Sequence, residues 1–582
     1  MSLYSAWKVN KEEVVAENGI VTSALPLSAE AGLSILKSGG NAIDAAVAVG
    51  FCNVVQEPYM ASIGGMGYML IHLAEEGRTI GLDFNGRAPQ GTTDDMYDVI
   101  GPSTGAGYKT FDVVNDANNT GPLSATVPAT CAGFCEAHKR FGTLPFEQVL
   151  EPAIHLASEG FEANWFLTMS AANMFDTFNS DNQLSSIWLP DGKVPKSHPK
   201  PGTKIIQKDL ANLLKKLAYQ GRDAMYSGEI ADAIDEHMKK NGGVLRKEDL
   251  SDYHPIIEEP AQTTFHGHSV NVVRTPSGGI TNLQTLNILD QFNLKEMGHN
   301  SVDYLNTFMM AARHAFADRF GYLGDWEHST VPLNGLLSIG YAKEIAEEVK
   351  KPTFEIRNLG QREPLVEFME NPIHNPWNYE KSPKVPVPSH PAMDTNNEDT
   401  THINVVDKNR NAVSCTHTGV FAKGLNPAGT GVALVGGMGW FIPKPGFPNS
   451  MAPWKRPMNN MSPFMVLKNN RPVLMEGAPG ARRIMNRNAQ VVLNVILFGM
   501  TPQEAIVQPV IDVSGTKTYV DSRMPESTVE ALIGLGHDIE LLEEEPAPTS
   551  YFARPSAIQV DYERNLLRAG VDSFRPTTAL GY

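Results

Sequence analysis

The chain has 582 residues, 42% hydrophobic and 19% charged, with 50 glycines and 40 prolines. This is a folded, turn-rich composition that excludes a disordered protein. Its formal charge of −17 repels phosphate backbones and anionic lipid, which excludes nucleic acid and the membrane surface as partners. No run of ~18 apolar residues occurs, and MSLYSAWKVNKEEVV at the start has no apolar signal-peptide core, so we expect no membrane span and a cytoplasmic location.

In chain order, residues 26–56 predict two helices separated by Ser38-Gly39-Gly40-Asn41. The glycines close the first helix, and Asn41 caps the Ala-rich second. The stretch ASIGGMGYMLIHL is a glycine-dense turn entering an apolar strand. A nucleotide loop requires a turn after a strand and before a helix, so Gly64, Gly65 and Gly67 read as points of close packing. From about 130 to 350 apolar residues recur at three-to-four spacing, which predicts mostly helix. Cys131 and Cys135 share a helix face there as small buried hydrophobes. With Cys52 and Cys415 they are too few for a disulfide framework.

Segment 371–399 is Pro-rich and polar and reads as a long exposed loop. The period then changes to two. THINVVD and NAVSCTHTGV predict a hairpin around residues 408–411, and further strands are expected at 463–468, 472–475 and 555–560, with NRNAQVVLNVILFG as a helix between them. The fold class is therefore α/β (α+β), helix-rich in the first two-thirds and strand-rich in the last third. Without HExxH or CxxC spacing, no metal and no cofactor is expected.

Chemistry concentrates at Asp399-Thr400-Thr401-His402, where the loop meets the first strand of the hairpin. A threonine hydroxyl needs a base to become a nucleophile. Cleavage before Thr400 would supply one on the same residue, since an α-amine has a reference pKa near ~8. The loop lets a new end move, and the strand fixes the nucleophile. Taken alone the motif also fits an ordinary strand start, and His402 fits a hydrogen-bonding strand residue. Downstream, GAPGARR at 477–483 offers successive backbone N–H groups for an oxyanion hole, or a plain Gly-Pro turn. RPMNNMSP at 456–463 suits either a substrate-facing loop or a strand lead-in.

These elements, with PLSAEAGLSILKSGGNAIDAAVAVGF, ATVPATCAGF, FGTLPFEQVLEPAIHLASEGF, GRDAMYSGEIADAI, PSGGITNLQTLNIL, ADRFGYLGD, TTHINVVDKNRNAVS, NNMSPFMVLKNNRPVLMEGAPGARRI and RPTTALGY in that order, resemble the γ-glutamyltransferase (glutathione hydrolase) family of N-terminal-nucleophile hydrolases. The resemblance implies an αββα sandwich made by one precursor. Self-cleavage would yield a large subunit, 1–399, and a small one, 400–582, together one domain, with room for a homo-oligomer of such heterodimers. It implies Thr400 as nucleophile, Thr418 as its hydrogen-bond partner, and the Gly480 and Ala481 N–H groups as the oxyanion hole. Ala481 stands where the family has glycine, which keeps the donor provided its φ is negative.

The departures concern substrate. The family's carboxylate-binding Arg position is Asn85, in FNGRAP, with Arg87 two places on and on the same strand face. The family's Ser-Ser pair is Asn459-Asn460. Its ammonium-binding stretch is VGGMGWF at 435–441, with Gly439 or Trp440 at the acidic position. Losing a buried partner for an ammonium costs about 3–5 kcal/mol, so the site is poorly made for a free amino-acid head, and Trp440 and Phe441 suit a flatter acyl group. We therefore expect an amidohydrolase or acylase, of the oxamate-like or cephalosporin type, acting on a small carboxylate-bearing amide held by Arg87, Asn459, Asn460 and Trp440. A γ-glutamyl enzyme with a rearranged pocket and an unprocessed, non-catalytic relative are the alternatives.

Overall fold

The computed structural model describes residues 9–102, 111–274, 276–351, 375–380, 400–419, 425–515, 517–548 and 550–582. Fourteen strands make two seven-stranded antiparallel sheets. In chain order they are β1 (Val14–Ala16), β2 (Ile20–Ser23), β3 (Met66–Leu73), β4 (Arg78–Phe84), β5 (Ile256–Glu258), β6 (Ala261–Phe265), β7 (His268–Val272), β8 (Thr401–Val406), β9 (Ala412–Thr418), β10 (Phe464–Lys468), β11 (Arg471–Gly477), β12 (Ser556–Asp561), β13 (Leu566–Val571) and β14 (Thr578–Gly581). One sheet runs β1-β13-β12-β11-β10-β7-β6 and the other β14-β2-β8-β9-β3-β4-β5. Both take strands from either side of residue 400, so neither sheet is complete without the chain on both sides of that bond.

The faces of the two sheets meet along a polar seam. Thr22 and Ser556 hydroxyls lie 3.0 Å apart, and Asn404 Nδ2 donates to the Ser556 carbonyl at 2.9 Å. The outer faces are covered by helices. On one side α1 (Pro26–Lys37), α2 (Ala42–Gln56) and α3 (Thr130–Phe141) share a core with Ile403, Val405, Val413 and Cys415. On the other, α4 (Gly279–Leu289), α5 (Val302–Tyr322) and α6 (Arg483–Ile496) pack on Phe464, Val466 and Leu474. The result is an αββα sandwich, as expected. Every residue of α2 is buried, which explains its all-round apolarity. Asn41 caps it by accepting from the Ile43 and Asp44 N–H groups, while the Asp44 carboxylate accepts from Asn41 N–H.

Two expectations change. The stretch read as mostly helical contains β5, β6 and β7, and His266-Gly267, both with positive φ, turn β6 into β7. These strands are short, and the long helices flanking them dominate the periodicity. Of the segment read as an exposed loop, only 375–380 is described. There Pro376–Tyr379 forms a 3-10 turn with Pro376 and Trp377 buried, because Gly335 packs against the Pro376 carbonyl.

Candidate active site

Thr400 immediately precedes β8 and is 4% exposed. Register pairs Thr401 with His417, so Thr400 lies across from Thr418, and its Oγ1 is 3.3 Å from Thr418 Oγ1. β9 pairs on its far side with β3, with Thr418 opposite Met66. Gly65 permits this closeness, because a Cβ there would collide with the Thr418 carbonyl. The glycine-dense turn is thus a packing device. Asp399 lies outside the described residues.

The strand behind Thr400 is polar but not titratable in the ordinary range. His402 Nδ1 is 2.8 Å from Thr416 Oγ1, and its Nε2 is 3.0 Å from Asn404 Oδ1. Burial pushes the His402 pKa down to about 3, so it is a neutral, clamped side chain rather than a base. His417 faces the helices, edge-on to Phe134 at 5.1 Å, and is likewise pushed down to about 3, by burial and then by His402. Glu57, after α2, hydrogen-bonds the Thr401 side chain; burial raises its pKa to about 7 against the pull of Thr401 and Arg575.

β11 leads into the small-residue turn. Ser414 Oγ donates to the Glu476 carbonyl at 3.1 Å, and a Cβ at Gly477 would run into the His402 ring. These contacts advance in step along β8 and β9 toward Thr400, which puts residues 478–481 at the end where Thr400 and Thr418 lie. Gly480 has φ +142° and Ala481 φ +53°. The negative φ expected at Ala481 is therefore not found. The turn needs left-handed backbone to carry the chain from β11 into α6, and a Cβ there costs on the order of 1–2 kcal/mol. Neither N–H donates to another described residue.

At the recognition end, Arg87 is already engaged. Its Nη2 donates to Glu327 Oε2 at 2.7 Å, its Nη1 donates to the Trp454 carbonyl at 2.8 Å, and the guanidinium lies over the Trp454 ring. Asn85 donates to the Pro457 carbonyl at 2.8 Å. The expected carboxylate clamp at Arg87 thus has its charge compensated by Glu327. Arg456 is a second buried cation with carboxylate partners, bonding Asp83 and Asp325. Burial alone would raise the Asp325 pKa, but hydrogen bonds from His328 and Arg456 and the charge of Arg456 hold it well below the usual range. Asp325, Glu327 and His328 form the one metal-like grouping found among the described residues. With Arg456 and Arg87 bonded to its carboxylates, it is an ion-pair network.

Asn459 and Asn460 lie on the loop before β10. Asn459 Nδ2 is 3.7 Å from Met66 Sδ, which ties the loop to the strand opposite Thr418. Arg319, on α5, donates to the Asn459 carbonyl at 2.7 Å and to Asn460 Oδ1 at 3.0 Å. Sequence reading passed over Arg319 in ADRFGYLGD, since a cation inside an apolar helix pattern was its only signal. Trp440 ends a 3-10 turn, Gly437–Trp440, and is partly buried. Phe441 is 1% exposed and packs with Ala88, Tyr97, Met438 and Met451, so it is core and not a platform for an acyl group.

With this geometry in place, comparison with known proteins is informative. The gamma-glutamyltranspeptidase family model matches residues 28–582. A glutathione hydrolase proenzyme of Pseudomonas sp. strain A14 is 33% identical, covering 95% of this chain and 91% of its own. The Acylase ACY 1 proenzyme of Pseudomonas sp. strain SE83 is 34% identical over 91% of this chain and 88% of its own. Among solved structures, cephalosporin acylase from Bacillus halodurans superposes with a TM-score of 0.81 at 26% identity, covering 100% and 99% of the two chains. The chain therefore belongs to the gamma-glutamyltranspeptidase family of N-terminal-nucleophile hydrolases.

Proposed function

We propose that this protein is a self-processing amide hydrolase that cuts its own chain between Asp399 and Thr400 and then uses Thr400 as nucleophile on a small carboxylate-bearing amide. The observation that carries this reading is the buried Thr400–Thr418 hydroxyl pair at the start of β8. Thr400 Oγ1 attacks the amide carbonyl, its proton passes to the new α-amine, and the tetrahedral oxyanion is held by the Gly480 and Ala481 N–H groups. The α-amine returns the proton to the departing nitrogen, the C–N bond breaks, and the acyl group remains as an ester on Thr400. Water then attacks that ester, giving the free acid and restoring the hydroxyl.

An acylase-type substrate fits better than a γ-glutamyl one. Arg87 is compensated by Glu327, and the 435–441 stretch has no acidic side chain to meet an ammonium. Asn459 and Asn460 remain as the polar contacts to the acyl group, with Trp440 beside them. In the proposed reading the fragments 1–399 and 400–582 stay together, since both sheets interleave them.

Intact-mass measurement of purified protein tests the first step: two fragments with Thr400 at a new N-terminus are expected, and Thr400→Ala is expected to stay whole. A wild-type chain that never divides ends the reading. For the second step, γ-glutamyl-p-nitroanilide is compared with oxamate and glutaryl amides. Turnover favouring the γ-glutamyl compound would replace the acylase reading with the transferase one.

A further inference from the structure

Arg319 differs from the other buried cations near the site. It is 1% exposed, and its guanidinium donates to the Ser277 carbonyl, the Asn459 carbonyl and Asn460 Oδ1. Among the described residues none of its contacts is a carboxylate. Burial, and then the charge of Arg482 just after the Gly480–Ala481 turn, push its pKa down to about 9. Arg87 and Arg456, by contrast, each sit on a carboxylate. A buried cation lacking a counter-charge is costly, and a ligand anion close by recovers part of that cost.

The bond to Asn460 also decides what that amide can do. Arginine has five donors and no acceptor, so it takes the amide oxygen and leaves the NH2 group pointing elsewhere. Asn459 is set the same way, because its Oδ1 accepts from the Met461 N–H at 3.0 Å, and its Nδ2 faces only the weakly accepting sulfur of Met66. Two adjacent amides are thus turned to donate. Asn460 is partly exposed, and Met66 lies opposite Thr418, so these donors stand on the nucleophile's side of the sandwich. Donors in that orientation match a carboxylate and offer nothing to an ammonium.

Resting on the amide-hydrolase reading above, we propose that Arg319 is the positioning residue for anion recognition: it fixes Asn460 as a donor and, with Arg482, makes this end of the site positive. The acyl group it selects is a short dicarboxylic one, a mono-amide whose far end is a free carboxylate without a neighbouring ammonium. Arg319 acts through Asn460 and through its field, and does not touch the reacting atoms.

The test uses oxalyl, succinyl and glutaryl p-nitroanilides, each beside the twin in which the far carboxylate is a carboxamide. Wild type is expected to favour the best carboxylate over its twin by about tenfold or more in kcat/KM. Arg319→Gln should raise KM for the carboxylate by about tenfold with kcat and the twin little changed, and Arg319→Lys should recover part of the loss. Self-cleavage should persist in both. Equal use of carboxylate and twin by wild type, or turnover of other amides with none of these, overturns the proposal. Should Arg319→Gln fail to fold, Asn460→Asp serves: a carboxylate there pairs with Arg319 and repels the substrate, so the preference should vanish, and its survival overturns the proposal. A chain that cuts itself yet shows no preference loses only this inference. A chain that neither cuts itself nor hydrolyses any anilide loses the reading beneath it as well.

Discussion

Thr400 and Thr418 sit on neighbouring strands of one sheet, while Arg87, Asn459, Asn460 and Trp440 sit on the connections around it. The first pair is placed by ladder register, which a one-residue slip would destroy completely. The second group is placed by ion pairs and single hydrogen bonds, each of which can be rewired alone. That difference explains why a sequence motif transfers to the nucleophile more safely than to the recognition end. Arg87 shares a strand face with Asn85, and yet Glu327 and Trp454 have claimed its guanidinium.

The comparison can be broken at its rigid end first. Thr400→Ala should abolish both chain cleavage and amide turnover, a loss of more than about a thousandfold, read by intact mass and by anilide assay. At the other end, the two carboxylate-bound cations should matter for stability and not for selectivity. Asp325→Asn removes a buried partner of Arg456 and should cost about 3–5 kcal/mol in denaturant unfolding. Arg87→Met should cost less, since Glu327 is 31% exposed, and should leave any preference for carboxylate over carboxamide as it was. A lost preference in Arg87→Met would return Arg87 to the substrate.

A pH profile sharpens the picture of the strand. The folded pKa of His417, about 3, lies below the unfolded value near ~6.5. Between those values the unfolded chain holds a proton that the native state refuses. Stability therefore falls as pH drops through this window, by about 1.4 kcal/mol per unit from this group. His417→Leu, in an apolar setting beside Phe134, should flatten the profile between pH 6.5 and 4.5 by about that slope. An unchanged slope contradicts a neutral buried His417. Thr418→Val should lower kcat by about tenfold, the worth of one hydrogen bond of about 1.4 kcal/mol, with KM little altered. The smallest effect is expected at the turn: Ala481→Gly relieves the left-handed alanine and should raise stability by up to about 1 kcal/mol.

Much of the frame was legible because it is local. The hairpin β8–β9 showed its period of two, the Asn41 cap preceded an Ala-rich run, and the strands ending in GAPGARR were bounded by turn residues. The close approach at Gly65 followed from a glycine-dense turn entering a strand. The short strands β5–β7 were hidden by the helical periodicity around them. Ala481 was misjudged because φ depends on how β11 must bend into α6, which composition does not encode.

By itself, then, the sequence determined the layered α/β class, the strand that carries Thr400 and the order of its motifs, since backbone periodicity and turn chemistry act over a few residues. Tertiary structure alone decided which charges face which. Arg87 and Glu327 are 240 positions apart and Arg319 and Asn460 are 141 apart, and no local rule assigns one arginine to a carboxylate and the other to an amide oxygen. Only the packing of α5 against the loop before β10 makes that assignment, and with it the orientation of the donors that the site presents.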